Sequence, residues 1–182
     1  MGGESLPSLD LADTVMLAVD PPVDLLASED QLATWWNLQS SRLPTAPVPS
    51  LTAVQRLRAA VRELLDAHLA GQAIEPGAVE ILNAVAASAS PSPRLLVADS
   101  VAQREIYWQV KRGGNAGLAA LAQDAIGLLS SPENLDRVRR CANPACSMLF
   151  LASSARRQWC TANICGNRAR VSRHHERHRG RR

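Results

Sequence analysis

Four cysteines in the last quarter of the chain have the number and spacing of a metal site. Cys141, Cys146, Cys160 and Cys165 are the only cysteines of the 182 residues, and they form two pairs in the pattern C-x4-C-x13-C-x4-C. In a structural zinc site each of four thiolates lies about 2.3 Å from a tetrahedral Zn2+. The spacing therefore predicts one Zn2+ bound by all four cysteines. Two disulfides and four unrelated buried thiols are the alternatives, which a reducing compartment and the clustering in pairs disfavour.

The residues around the cysteines predict the elements that bring them together. Pro144 favours a turn inside the first pair, and Thr161 is placed to cap a helix whose first turns hold Cys165. About forty residues cannot bury enough apolar surface to fold alone, so the metal would replace a core. A hairpin followed by a helix that donates the last ligand resembles a treble-clef arrangement. The apolar residues of the predicted hairpin are Val138, Leu149 and Leu151.

A run of basic residues follows the last cysteine. Residues 137–182 contain twelve arginines and one glutamate, a net charge of +11, whereas residues 1–136 contain eight basic and sixteen acidic residues, a net charge of −8. An acidic part joined to a basic part is typical of a protein in which one module binds a polyanion. A solvated basic tail is the alternative reading of the same charges.

The basic run predicts a helix that contacts duplex DNA. Arg170, His174 and Arg177 share a helix face, and the planar guanidinium of arginine suits both phosphate and guanine. Asn167 either reads a base or ties down a neighbouring loop, and Arg168 either contacts phosphate or packs on the cysteine module. The expected nucleic-acid contacts are Arg156, Arg157, Asn167, Arg168, Arg170, Arg173, His174 and Arg177.

The first 130 residues have the pattern of an α-helical domain. A helix begins after Ser28, which forms a capping box with Gln31, and a long leucine stripe runs from Ser50 to Gly71. Another helix begins at Pro76, and residues 90–94 (SPSPR) are expected to end it. Two short stretches rich in β-branched and aromatic residues, 94–99 and 104–110, predict a small hairpin, and residues 115–131 return to helix. The expected fold class is mainly α.

The sequence contains no sign of a membrane span, a signal peptide or a catalytic site. No stretch of about twenty apolar residues occurs, so we expect a cytoplasmic protein. Neither a Ser-His-Asp arrangement nor a phosphate-binding glycine loop stands out, and four thiolates would leave a zinc ion no open position for water. We therefore expect that the protein is not an enzyme. One lysine against nineteen arginines, with abundant alanine and proline, suggests a bacterial genome rich in G and C.

The stretch from residue 139 to 174, RRCANPACSMLFLASSARRQWCTANICGNRARVSRH, resembles the CGNR zinc finger. The four residues that name this family are here Cys165, Gly166, Asn167 and Arg168. The opening LDLADTV and DLLASEDQLATWW are similar to the ABATE domain that usually precedes the finger. The resemblance implies an ABATE-like domain over residues 1–130 and a finger with a basic helix over 131–182. Ala152 stands near a position where the family usually has aspartate, and the loop before the second cysteine pair is shorter.

Two classes of function follow from these expectations. The resemblance implies a DNA-binding transcription regulator of bacteria, cytoplasmic and nucleoid-associated. In such a protein the N-terminal domain senses a signal or docks on a partner, for which the transcription machinery is one candidate, and the finger binds DNA. The alternative is a zinc-stabilised module that binds a protein or RNA within a larger assembly. A third reading is a thiol switch, in which oxidation of the cysteines releases zinc.

Overall fold

The computed structural model describes residues 6–16 and 21–172. In this part of the chain seven helices and three two-stranded antiparallel sheets follow one another. None of the described helices is both long and apolar enough to cross a membrane. The elements are α1 (Pro7–Ala12), β1 (Val15–Met16), β2 (Val23–Asp24), α2 (Glu29–Leu38), α3 (Leu51–Ala70), α4 (Pro76–Ala86), β3 (Ala89–Ala98), β4 (Val101–Val110), α5 (Ala116–Leu129), α6 (Pro132–Leu135), β5 (Val138–Arg140), β6 (Leu149–Leu151) and α7, which begins as a π-helical turn (Ala162–Gly166) and continues to residue 172.

The helix ends lie where the sequence predicts them. Ser28 and Gln31 form the capping box of α2, in which each side chain accepts a hydrogen bond from the other residue's backbone N–H. The Ser50 side chain caps α3, which ends at Gly71 with a left-handed φ of 62°. Proline at the first position of α4 leaves no N–H without a partner there. These local signals fix the helix boundaries before any tertiary contact forms.

The helical body, residues 6–135, packs α1, α3, α4 and α5 around one leucine-rich core. The long stripe of α3 supplies Leu57 and Leu65, both fully buried, and Leu121 of α5 packs into the same core. Trp36 lies against α5, where a Cβ atom on Gly117 would be 2.5 Å from its ring. Glycine is therefore required at position 117, because any side chain would displace the tryptophan.

The antiparallel pair β3–β4, called the ribbon here, is much longer than the predicted hairpin. Each strand has ten residues, and β3 begins at Ala89, so Pro91 and Pro93 lie inside a strand where the sequence predicted a break. Both prolines lie at positions whose backbone does not hydrogen-bond to β4. The N–H that proline lacks would point to the outer edge of the ribbon there, so no hydrogen bond to β4 is lost. Asp99 and Ser100 form the tip with φ of 49° and 64°. The fold is therefore helical with a substantial β component rather than simply mainly α.

The hairpin β5–β6 connects the helical body to the cysteine module. Val138 and Leu149 are 0% and 1% exposed, and they belong to the same core as the leucines of the body. The Arg62 guanidinium donates to the backbone carbonyl of Ser147 at 2.9 Å, and Arg140 donates to Asp66 at 2.8 Å. The domain boundary near residue 130 stays a prediction. A cut there would remove two buried side chains, those of Val138 and Leu149, from the core of the body.

Asp13 is a buried carboxylate at this junction. Its two oxygens accept from the backbone N–H of Leu149 at 2.9 and 3.0 Å, and Arg62 lies 3.5 Å away. Burial raises the pKa of Asp13 to about 7, despite the hydrogen bond from Leu149 and the charge of Arg62, which lower it. The carboxyl therefore joins α1 to β6 but holds its charge poorly.

Replacing Leu149 by alanine should destabilise the helical body as well as the finger. The change removes a fully buried side chain from the shared core and should lower the free energy of unfolding by about 2–5 kcal/mol. Urea unfolding followed by the circular dichroism of the helices measures it. Ile164→Ala is the control, since Ile164 is 52% exposed in the finger. An unchanged midpoint for Leu149→Ala would contradict the shared core.

Asp13 should make the folded protein less stable as the pH rises towards 7. Its folded pKa of about 7 lies above the ordinary value of 3.8, so the folded state binds more protons between these two values. The free energy of unfolding should therefore fall with increasing pH in this window, by at most about 1.4 kcal/mol per pH unit. Asp13→Asn should flatten the fall measured between about pH 5.5 and 7.5 with zinc bound. An equal slope in both proteins would rule out Asp13 as its source.

Candidate metal centre and nucleic-acid interface

Three local structures place the four cysteines. Cys141 follows β5, and its N–H donates to the Met148 carbonyl at 2.9 Å across the hairpin. Cys146 ends a turn closed by its N–H to the carbonyl of Asn143 at 2.9 Å. Cys160 precedes α7, and Cys165 lies in the π-helical turn that opens it. Each pair thus comes from one turn or helix end, as the spacing predicted.

The four sulfur atoms are arranged for one tetrahedral ion. All of them lie within 4.8 Å of one another. The Sγ atom of Cys160 is 3.8 Å from that of Cys146 and 3.6 Å from that of Cys165. A tetrahedron with metal–sulfur bonds of about 2.3 Å has edges of about 3.8 Å. The geometry therefore fits Zn2+ with all four positions filled by protein, as in structural rather than catalytic sites.

The protonation of the thiols depends on the metal. Burial raises the pKa of Cys146 to about 11 and that of Cys160 further, and the neighbouring thiols add to both shifts. Burial acts in the same direction on Cys165, but side-chain hydrogen bonds, first of all from Asn143, lower its pKa. A bound cation reverses the cost of charging these sulfurs, since a coordinating thiol is deprotonated. Zinc and the ionised form of the site therefore stabilise each other.

Asn143, in the turn inside the first cysteine pair, is a neighbour of the metal centre. Its side-chain oxygen accepts from the N–H of Ala145 at 3.1 Å, and its buried Nδ2 makes no hydrogen bond of normal geometry with the described residues. The Asn143 side chain nevertheless acts on Cys165, since it helps to lower the pKa of that thiol. An N–H donor to a thiolate offsets part of the negative charge of a site with four sulfurs.

Arg157 is used inside the finger. Its guanidinium lies 4.6 Å above the ring of the fully buried Phe150 and donates to the backbone carbonyls of Leu151, Trp159 and Cys160. These bonds hold the loop between the cysteine pairs against β6. The structure therefore gives Arg157 an internal structural contact, and its predicted contact with nucleic acid is untested.

Gly166 and Asn167 of the CGNR motif shape the start of α7. A Cβ atom on Gly166 would lie 2.8 Å from Cδ1 of Trp159, so only glycine lets the tryptophan pack there. Asn167 donates to the Asn163 carbonyl at 2.8 Å and accepts from Arg170 at 2.7 Å. The side chain of Asn167 thus ties the π-helical turn to the next turn of the helix.

The exposed arginines of the finger lie on two sides of α7. Arg156 and Arg170 border a groove of about 380 Å3 with Trp159 in its wall. Arg168 lies on the other side, between Ile164 and Val171, which are 52% and 55% exposed. Sequence reasoning did not single out these two apolar residues, although their spacing of seven places them on one helix face. The remaining predicted contacts, Arg173, His174 and Arg177, lie outside the described residues.

Purified protein should contain one zinc ion per chain, and Cys165→Ser should lose it. A missing thiolate opens the tetrahedron and removes the anchor of α7, so the finger should unfold because its folding energy is largely metal-binding energy. Elemental analysis measures zinc, and circular dichroism should show that most body helix remains. Ser153→Ala, at an exposed position of the loop between the two cysteine pairs, is the control. Zinc at one per chain in Cys165→Ser would contradict the four-thiolate site.

Comparison with known proteins agrees with this architecture. The model of the ABATE family, described as "Putative stress-induced transcription regulator", matches residues 6–132. The model of the CGNR zinc finger matches residues 137–178 and includes all four cysteines. No curated protein matches the chain. Both resemblances expected from the sequence are thereby confirmed. The chain belongs to the ABATE family and ends in a CGNR zinc finger that holds its zinc ligands Cys141, Cys146, Cys160 and Cys165.

Proposed function

We propose that this protein is a transcription regulator that binds duplex DNA through its zinc finger. The observation that carries the proposal is the position of α7, a helix anchored to the metal centre by Cys165 and bordered by the exposed arginines Arg156, Arg168 and Arg170. An α-helix about 10–12 Å across fits the major groove of B-DNA, which is about 12 Å wide. The finger would therefore present a basic helix in a fixed orientation.

The exposed arginines have separate roles in this proposal. Arg156, in the loop between the cysteine pairs, is placed beside the helix and suits a contact with a phosphate. Arg168 is exposed on the side of α7 that carries Ile164 and Val171, and from there it can reach a base edge or a phosphate. Arg170 is partly held by the carbonyl of Ala162 at 3.3 Å and by Asn167. We therefore assign the main contacts to Arg156 and Arg168, with Arg170 beside Arg156 and with Arg157 as a support.

The helical body would sense a signal or dock on another protein, and the finger would carry the nucleic-acid contact. Four protein thiolates leave no coordination position for water, which supports a structural role for zinc and a function without catalysis. The excess of acidic residues in the body supports the same division, because a negative surface does not attract DNA.

A second candidate is a zinc-stabilised module that binds protein or RNA. The exposed Ile164 and Val171 favour it, since apolar side chains beside an arginine also suit a protein interface. Ile164 and Val171 are equally suited to the methyl groups of thymine in a major groove. Affinity for duplex DNA, measured against single-stranded RNA of the same length, separates the two functions.

Changing Arg156 and Arg168 together to alanine should weaken binding to all duplex sequences. Each phosphate contact releases counterions and contributes about 0.9 to the slope of log K against log salt, so two lost contacts should flatten that slope by roughly two. Fluorescence anisotropy over a salt series measures it, with zinc content checked in each protein. Arg112→Ala, an exposed arginine of the body, is the matched control and should bind as the parent does.

Two results would contradict this prediction. If the double variant binds DNA as tightly as the parent at every salt concentration, these arginines are not the nucleic-acid surface. If neither protein binds duplex DNA but both bind RNA or a protein, the second candidate replaces the first.

A further inference from the structure

The ribbon has one apolar face that the described residues leave largely uncovered. The register pairs Ala89 with Val110 and Ala98 with Val101, so residues directly opposite each other share a face. One face is apolar apart from one arginine, and the other is mostly polar. The apolar face consists of Ala89, Pro91, Pro93, Leu95 and Val97 on β3 and of Ala102, Arg104, Ile106, Trp108 and Val110 on β4.

Only the base of the apolar face packs on the helical body. Ala89 is fully buried against α5, and Trp108 lies half-buried in the same small cluster. Beyond this base the face continues into solvent: Leu95 is 71% exposed, Val97 70% and Ile106 44%. Exposed side chains of this size on one long face are unusual for a monomer and mark an interaction surface.

The opposite face of the ribbon is suited to water. The Arg94 guanidinium donates to Glu105 at 2.6 Å and lies 4.7 Å above the ring of Tyr107, all on this side. Ser90, Ser92, Gln103 and Gln109 lie on the same side, and its apolar members near the tip are Leu96, Ala98 and Val101. A two-stranded ribbon is marginally stable alone, and here most of its large apolar side chains, though not all of them, lie on the face without a partner. The missing partner therefore belongs on the face of Leu95 and Val97.

We propose that a second copy of this chain covers this face, so that two ribbons pack face to face in a homodimer. At about 3.3 Å per residue the ten-residue ribbon is about 33 Å long, and the part of its apolar face beyond the base is exposed and available to a partner. Stable interfaces bury about 1,200–2,000 Å2 in total, and weaker ones bury less. Two copies of the exposed part of this face fit an interface at the small end of these sizes.

Charge and backbone geometry favour a second copy over other occupants. Arg104 is the single charged residue of the face, so nucleic acid or an acidic protein would find only one complementary charge there among apolar side chains. A twofold axis places the same apolar patch on both sides and satisfies it without any other chemistry. Addition of a further strand to β3 is blocked, because Pro91 and Pro93 remove donors from its outer edge. The second copy therefore packs against the apolar face and does not pair with the outer edge of β3.

The oligomeric state of the full-length zinc-bound protein tests the proposal without any DNA. Sedimentation equilibrium should give the mass of a dimer for the parent. Leu95→Glu combined with Val97→Glu should give monomers, because four carboxylates cannot be buried in an apolar interface. Ile106→Lys, on the other strand of the same face, should weaken the dimer at least tenfold in Kd. The matched control is Gln103→Glu combined with Gln109→Glu, on the opposite face of β4, and it should remain a dimer.

Several outcomes would overturn the proposal. The parent could be a monomer at every concentration, or the double glutamate variant on the apolar face could remain a dimer. Loss of the dimer in the control as well would place the interface elsewhere on the ribbon. The substituted positions are exposed, so unchanged circular dichroism and zinc content identify a loss of association rather than of folding. The result does not depend on DNA binding, so it can fail while the proposed function holds, or the reverse.

Discussion

The hairpin β5–β6, with three residues per strand, contributes side chains from one face to the core of the helical body and from the other face to the core of the finger. Val138 pairs with Leu151 and Arg140 with Leu149, so the side chains of Val138 and Leu149 enter the leucine core of the body. Phe150 points to the other face and forms the small core of the finger with the cysteines. The period of two along a strand thus makes one short element the wall of both cores. Neither part can move on the other without uncovering one of these faces.

The finger depends on this arrangement because it has little core of its own. In the cluster that packs around its cysteines, Phe150 is the one large side chain that is fully buried, and the thiols make up most of the rest of that cluster. Metal binding stabilises the hairpin from the side of the cysteines, and packing against the body stabilises it from the other side. Arg157 completes the structure with hydrogen bonds to backbone carbonyls, and the Asn143 side chain helps to lower the pKa of Cys165. Zinc binding and body packing therefore stabilise the same two strands from opposite directions.

The features that the sequence predicted are those with a local cause. Ser28 with Gln31 and Ser50 with Gly71 act within one or two helical turns, and the paired cysteines belong to single turns, so each was readable from spacing. Features that depend on distant partners were not. The two prolines near residue 91 predicted the end of the preceding helix, which ends at Ala86, but they did not predict the strand that contains them. An edge position of a ribbon tolerates these prolines because the N–H they lack is not needed there.

The role of Arg157 could not be read from charge, because its carbonyl partners become neighbours only after the loop folds over Phe150. Asp13 is a similar case: its neighbours in the sequence do not reveal that Leu149, 136 residues away, donates to it. The same junction limits how a signal can travel under the proposed function. Because the helical body shares a core with the finger, the two parts cannot separate, as they could if a flexible linker joined them. Control of DNA binding would therefore act on the unit as a whole. Two physical routes fit this constraint: loss of zinc, which would unfold the finger, and the spacing that the proposed dimer would impose on two rigid units.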